Sequence, residues 1–278
     1  MKAKEVMSKN YAKADMNDSV SKVLGQLKLT KEWAALLFDG RKYKGIFSKH
    51  RMIRSKMDPA AWKAKHMLKQ VPVLNGNEDL KETARLMITG NCHLLPVAEK
   101  GKVLGIVKAV DIIDQLDANA KKKKIMDIAT TGLVVVNEDD RTGKATQLMG
   151  DYVVDRLPIV DDAGNLLNIV SLTDLMEKCY LKMQSKTEAR GRGGLTQAGP
   201  RTIRAYRSKR PDLTGFPVRN FATPVMITAT ENENIGDIIA YMRKYRIGSI
   251  VITRGKKAVG IITVRDLLKL FLPDMLTF

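Results

Sequence analysis

Two cysteines and three histidines are all that 278 residues contain of either kind. Cys92 and Cys179 stand far apart and form no Cys-x-x-Cys pair, and His50, His66 and His93 do not recur at metal-ligand spacing. Neither a disulfide framework nor a zinc site is expected from them. Long apolar runs are missing as well: none approaches the roughly 20 residues that cross a bilayer. The opening MKAKEVMSKNYAKAD has no apolar centre of the kind that drives secretion. These absences place the chain, as an expectation, in the cytoplasm with no membrane partner. Acids are the third shortage, 30 Asp and Glu against 48 Lys and Arg, a net charge of +18. That excess is well beyond what solubility requires. With 44% hydrophobic residues there is still enough apolar material for cores, and the length allows two ordinary domains.

The charge is unevenly spread. Residues 1–120 carry +9, 121–181 carry −2, 182–219 carry +8 and the remainder +3. Within the first region, Arg41 to Lys69 holds ten Lys or Arg and one acid, Asp58, with Trp62 among them. The second basic region contains RGRGGLTQAGPRTIRAYRSKR, Arg190 to Arg210, with seven basic residues and no acid.

Most of the remaining chain is one unit written four times. An apolar i, i+3, i+4, i+7 face, the mark of a half-buried helix, occurs as Val20, Val23, Leu24, Leu27 and again as Leu80, Thr83, Ala84, Met87. It returns as Thr142, Ala145, Thr146, Met149 and as Ile235, Ile238, Ile239, Met242. Ser19, Asp79 and Asn234 stand where N-caps are wanted. Each helix is followed by a short apolar run that reads as a strand: AALLF (34–38), HLLPV (93–97), RLPIV (156–160) and GSIVI (248–252). A turn and a second strand come next, KGIF, LGIV, LNIV and VGII, leading into SKHRMI, KAVDII, SLTDLM and TVRDLL. From the last helix-face residue to the Gly or Asn of the second strand the offsets are 18, 18, 19 and 18 residues. The helix starts at 20, 80, 142 and 235 lie 60, 62 and 93 residues apart, so the basic segment is an insertion between the third and fourth copies.

The order strand, helix, PV-like strand, turn, GIIT-x-x-D-LL, repeated at this period, resembles the CBS domain, and VGIITVRDLL (259–268) is the stretch most similar to its signature. The resemblance covers most of the chain outside residues 182–219. It implies an α/β (α+β) fold in which four CBS repeats pair, sheet against sheet, into two Bateman modules, residues 1–120 and 121–278, the second carrying the basic insertion 182–219. A three-stranded sheet with two helices buries too little apolar area to stand alone, which agrees with pairing.

The resemblance also implies adenosine-containing ligands, AMP, ADP, ATP or adenosylmethionine, acting as regulators, with no cofactor required. In the family's pattern a Thr or Ser faces phosphate and an Asp takes the ribose hydroxyls, roles that suit a hydroxyl and a carboxylate. Copy four keeps both groups, Thr263 and Asp266, and copy three keeps both, Ser171 and Asp174. Copy two keeps Asp111 but has Lys108 in place of the hydroxyl, and copy one has Ser48 and Arg51. At most three sites are expected, the favoured ones in copies three and four. The same Ser/Thr-x-x-Asp spacing at a helix start is equally the pattern of a capping box, and both readings stand. Arg156, His93 and Arg246, near the first strands, read as solvated groups within reach of a phosphate. Met7, Met87, Met149 and Met242 read as core.

No P-loop, nucleophile-and-base pair or metal cluster emerges, so an enzyme is not expected. The basic insertion is far longer than the connectors between the other copies. Its glycines fit a solvated linker. Its single sign of charge fits phosphate neutralisation, and its residues can contact a nucleic-acid strand: Arg190, Arg192, Arg201, Arg204, Tyr206, Arg207, Lys209 and Arg210. Arg51 and Arg54 extend the expected RNA surface onto copy one. No helix-turn-helix or zinc finger is apparent, so RNA is preferred to DNA. Four CBS copies with an RNA-like basic arm are similar to archaeal CBS proteins of ribosome hibernation. That resemblance implies a ribosomal subunit or rRNA as partner and a block on translation, modulated by adenine nucleotide. The alternatives are a nucleotide sensor similar to the gamma subunit of AMP-activated protein kinase, acting on a protein, and a DNA-binding regulator. A homodimer through the CBS faces is a further expected association.

Overall fold

The structure is a computed structural model and describes residues 1–30, 32, 34–48, 62–175, 215–223 and 225–273. All four copies have one layout. Copy one is β1 (Ala12–Asp15), α1 (Val20–Thr30), β2 (Ala35–Asp39) and β3 (Lys42–Phe47), with β4 (Leu68–Lys69) on the outer edge. Copy two contributes α2 (Leu80–Thr89), β5 (Leu94–Glu99), β6 (Lys102–Lys108) and α3 (Ala109–Ile113), followed by α4 (Ala118–Lys122). Copy three is β7 (Val136–Asn137), α5 (Thr142–Asp151), β8 (Arg156–Val160) and β9 (Leu166–Ser171). Copy four is β10 (Thr228–Thr230), α6 (Ile235–Tyr245), β11 (Ser249–Arg254), β12 (Lys257–Thr263) and α7 (Val264–Lys269). The helices start at the residues the periodicity marks. Asp79 caps α2 by accepting the Glu82 N–H at 2.7 Å, and Ser19 Oγ accepts from Lys22 N–H at 3.3 Å.

In each copy the first long strand pairs antiparallel with the second, and a short parallel strand lies on its other side: β1 on β2, Leu74 on β5, β7 on β8, β10 on β11. The outer edge of each sheet is covered by a segment that belongs, in sequence, to the connector before a different copy. Residues 1–8 lie on copy two, where Ser8 and Ile106 exchange both backbone bonds at 2.8 and 2.9 Å. Residues 62–69 lie on copy one through β3–β4. Residues 124–130 lie on copy four, where Thr130 and Ile261 exchange both bonds at 3.0 Å. Residues 217–223 lie on copy three, where Thr223 N–H donates to Ile169 O at 2.9 Å. These arms explain the recurring glycine of the second strand. A Cβ on Gly105 would stand 2.6 Å from Ser8 O, and one on Gly45 2.6 Å from Lys69 O, so a side chain there would push the covering arm off the sheet. The arms also cap what would otherwise be open edges.

The chain divides into two compact units, Met1–Leu133 with Ile227–Phe278, and Val134–Met226. The first holds copies one, two and four. Strand alternation assigns the faces of copy one: Ala35, Leu37 and Phe47 pack with α1, while Leu36 and Ile46 point the other way into the cluster that contains Leu95, Val97 and Ile106 of copy two. Copies two and four share that same cluster through their helices, with α2 and α3 against α7, and α4 against α6. Ile112, Ile113, Ile238, Met242 and Leu267 are wholly buried there, each worth roughly 1.5–3 kcal/mol relative to exposure. Copy four's core is thus continuous with copy two's. Among the described residues no helix is long and apolar enough to cross a membrane.

The second unit is built around Leu157, Ile159, Val170, Val218 and Phe221. Its α5 ends in a turn whose left-handed residue is Val153, φ +55° and 72% exposed. The equivalent positions in copies two and four carry Asn91 (φ 46°) and Arg246 (φ 52°). Asn tolerates this region, whereas a β-branched residue is strained in it. Val153→Asn is expected to stabilise the second unit by about 1 kcal/mol, raising its melting midpoint by about 4–8 °C in a thermal scan. An unchanged or lower midpoint contradicts the strain.

Candidate functional site

In copies two, three and four the end of the second strand delivers the hydroxyl-or-lysine position directly into a helical turn, and the acid follows three residues later. In copy four, Thr263 Oγ1 donates to Asp266 Oδ2 at 2.7 Å, Thr263 N–H reaches the same oxygen at 3.0 Å, and Asp266 N–H donates back to Thr263 Oγ1 at 3.3 Å. Lys269 Nζ donates to the other carboxylate oxygen at 3.2 Å. Asp266 is 5% exposed. In copy three, Ser171 Oγ and Asp174 Oδ2 are 2.5 Å apart, Ser171 N–H donates to that oxygen at 3.1 Å, and Thr223 Oγ1 donates to it at 2.8 Å. Both pairs thus close as capping boxes, and each carboxylate has a further donor from outside the box.

Two further groups stand beside these boxes. Arg156 pairs across the sheet with Ser171 and is half-buried, which corrects its reading as a solvated group. Burial pulls its guanidinium below the ordinary range, and the carboxylates of Asp155 and Asp174 hold it up; it remains charged at any ordinary pH. A cation half-buried beside the copy-three box can meet an anion there. In copy four, Ser249 pairs across the sheet with Thr263. Its side chain is 7% exposed and its hydroxyl has no hydrogen-bond partner among the described residues, a buried donor left for something else to satisfy. His93 and Arg246 are exposed, as expected.

Copy two differs. Lys108 N-caps α3 without a side-chain cap bond, and its Nζ instead donates to Glu32 Oε1 of copy one at 2.7 Å. The two side chains are 24% and 21% exposed. Asp111 receives the Lys108 backbone N–H; burial raises its carboxyl above the usual value, Lys108 and Arg243 oppose the rise, and Glu32 adds to it. Arg243 itself pairs with Asp114. A cleft of about 230 Å³ opens next to Asp111, lined by Met1, Glu5, Val6, Asp114 and Gln115. The Lys108 substitution was visible in the sequence; its partner was not, because Glu32 lies 76 residues away.

Copy one keeps Ser48, which is buried. Trp62 is 6% exposed and packs with α1 and Phe47, so it fills the core and offers no stacking face. Met87, Met149 and Met242 are buried core residues. Cys92 is buried and its thiol is pushed up to about 11 by that burial, which leaves it protonated and unreactive. The residues singled out for RNA, Arg51, Arg54, Arg190, Arg192, Arg201, Arg204, Tyr206, Arg207, Lys209 and Arg210, lie outside the described residues.

The chain is similar to an uncharacterized protein of Methanocaldococcus jannaschii, 25% identical over 277 residues, 96% of this chain and 61% of that protein. It is also similar to an uncharacterized 33.4 kDa protein in the ribosomal RNA operon of Thermofilum pendens, 26% identical over 198 residues, 71% of this chain and 60% of that one. The chain therefore spans about three fifths of the length of these relatives. Among solved structures, a Methanocaldococcus jannaschii protein described as a candidate archaeal homologue of γ-AMPK matches with a TM-score of 0.76 at 17% identity, over 98% of this chain and all of that one. That likeness is one of fold. The family model for the CBS domain matches residues 64–118, 125–180 and 218–273, each stretch starting within a covering arm and running through the helix and strand pair just described, and the chain belongs to the CBS domain family.

Proposed function

We propose that this protein is a non-enzymatic ribosome-binding factor, in which the CBS copies form a scaffold, the basic segment 182–219 engages ribosomal RNA, and translation is blocked by occupancy of the subunit. The observation that carries the reading is the one-sided charge of that segment, +8 over 38 residues. Phosphate-rich RNA is the partner that such a density of Lys and Arg fits, since each neutralised phosphate releases condensed counterions. A relative named for its place in a ribosomal RNA operon supports the same direction.

Adenine nucleotide is the proposed modulator. Asp174 and Asp266 are the ribose acceptors, Ser171 and Thr263 face the phosphate, and Asp111 is the third carboxylate of the set. Arg156 beside the copy-three box and the Ser249 hydroxyl beside the copy-four box, which has no partner among the described residues, favour an anionic, hydroxyl-bearing ligand at those two copies. Residues 121–278 are read as the second tandem module of this scaffold. A second reading, a nucleotide sensor acting on a protein partner, is favoured by the fold likeness to the candidate γ-AMPK homologue.

One experiment separates them. The full chain is used as bait in cell extract at a stated physiological salt, and the captured material is assayed for rRNA and for protein, with duplex DNA as competitor. Capture of ribosomal subunits that resists duplex DNA is the expected result. Capture of a kinase or other protein without rRNA overturns the ribosome reading, and loss of the RNA to duplex DNA overturns its specificity.

A further inference from the structure

Two of the residues that break the fourfold repeat, Glu32 and Lys108, bind each other. The residue five positions after the last helix-face residue makes the same backbone bond in every copy: Glu32 N–H to Leu27 O, Cys92 to Met87, Val154 to Met149, Ile247 to Met242, at 3.0 to 3.1 Å. Three copies put an apolar side chain there, and copy one puts a carboxylate. At the end of the second strand, Ser48, Ser171 and Thr263 are hydroxyls, and copy two puts the lysine. The exceptional carboxylate and the exceptional ammonium meet at 2.7 Å across the copy-one and copy-two boundary, both largely withdrawn from water. A half-buried ion pair is a costly way to hold two surfaces together, since desolvation offsets most of the attraction, and an apolar and hydroxyl combination serves the other copies. Its position therefore calls for another account.

Asp111, three residues after Lys108, lines the open cleft, and Glu32 is near enough to act on both Lys108 and Asp111. Asp174 and Asp266 are tied by a hydroxyl within their own box, whereas Asp111 faces a lysine whose ammonium is already spent on Glu32. We propose that Glu32 is an intramolecular plug, its carboxylate standing where a phosphate-bearing ligand of copy two would place its anion, so that copy two takes such a ligand only when Glu32 leaves Lys108. This rests on the nucleotide part of the proposed function and is independent of ribosome binding. The plug makes copy two a guarded site: a ligand must displace one anion with another, so its apparent affinity is lowered by the share of molecules in which Glu32 holds Lys108.

The test is isothermal titration of the full chain with AMP. Glu32→Gln removes the competing charge and keeps the side chain's shape. It is expected to add one binding site per chain, or to tighten an existing weak one at least about tenfold, and Asp111→Ala on top of it is expected to abolish the gain. Should Glu32→Gln lower stability by leaving Lys108 without its anion, the double variant Glu32→Val, Lys108→Ser restores the residue types of copies three and four at both positions and is titrated in its place. Gain in either variant, lost with Asp111→Ala, supports the plug. Unchanged site number and affinity in both, or a gain that survives Asp111→Ala, overturns it. Failure of the wild-type chain to bind AMP at copies three and four leaves this readout intact, because the gain is scored at Asp111.

Discussion

Deletion of residues 186–212 is expected to leave the chain in the supernatant when ribosomal subunits are pelleted at physiological salt, while the undeleted chain pellets with them. The deleted stretch contains eight Lys or Arg and two acids. If each cation neutralises one phosphate, the slope of log affinity against log salt should flatten by about six on removal, and affinity should fall by roughly 10³ or more. The fold should survive, because the deletion stops short of Gly215, where the described chain resumes. Val218 and Phe221 remain to fill the core of the second unit. Equal pelleting of the two chains, or a salt slope that does not change, rejects the segment as the RNA-binding element. A loss of pelleting accompanied by a lowered melting midpoint would assign the effect to unfolding, so the thermal scan belongs to the same experiment.

The fold was legible because each level of the sequence agreed with the next. Helix starts follow from three- and four-residue spacing and from caps such as Asp79, and the long strands follow from short apolar runs closed by turns; both are local signals. What was not local was not legible. Periodicity shows that Ile238 and Met242 face a core, but it does not say that this core belongs also to copy two. The exchange of arms between sheets left one trace, the glycine at 45, 105 and 260. It reads as a generic strand glycine until Ser8 or Lys69 is seen lying against it. In the candidate site the spacing Ser/Thr-x-x-Asp allowed a capping box and a ligand pair on equal terms, and the structure shows the box closed at both copies. The Arg156 side chain looked solvated because it opens a strand; its burial comes from the sheet register that sets it opposite Ser171. Glu32 carried a signal that could have been found, since it is the one charged residue at a position the other copies fill with Cys92, Val154 and Ile247.

Phe221→Ala is expected to destabilise the second unit by about 3–5 kcal/mol, the cost of removing a fully buried aromatic side chain and leaving a cavity. Phe221 is wholly buried, packs with Leu157, Ile159 and Val170, and stands 6.3 Å from the Phe216 ring. It belongs to the arm that covers β9, two residues before Thr223, whose hydroxyl holds the Asp174 carboxylate at 2.8 Å. The same arm is the point at which the chain re-enters the described structure after the basic segment. Loss of the ring should therefore act on three things at once: the core of the unit, the donor to Asp174, and the anchorage of the segment proposed to meet RNA. Because the chain has two compact units, a single unfolding free energy does not describe it. The expected denaturation curve of the variant separates into an early transition for Val134–Met226 and a later one at the wild-type midpoint for the unit that holds copies one, two and four. Site-placed fluorophores, one in each unit, distinguish the two. A variant whose probes move together to a lower midpoint contradicts independent units, and one whose midpoints do not move contradicts the arm as the keystone of the second.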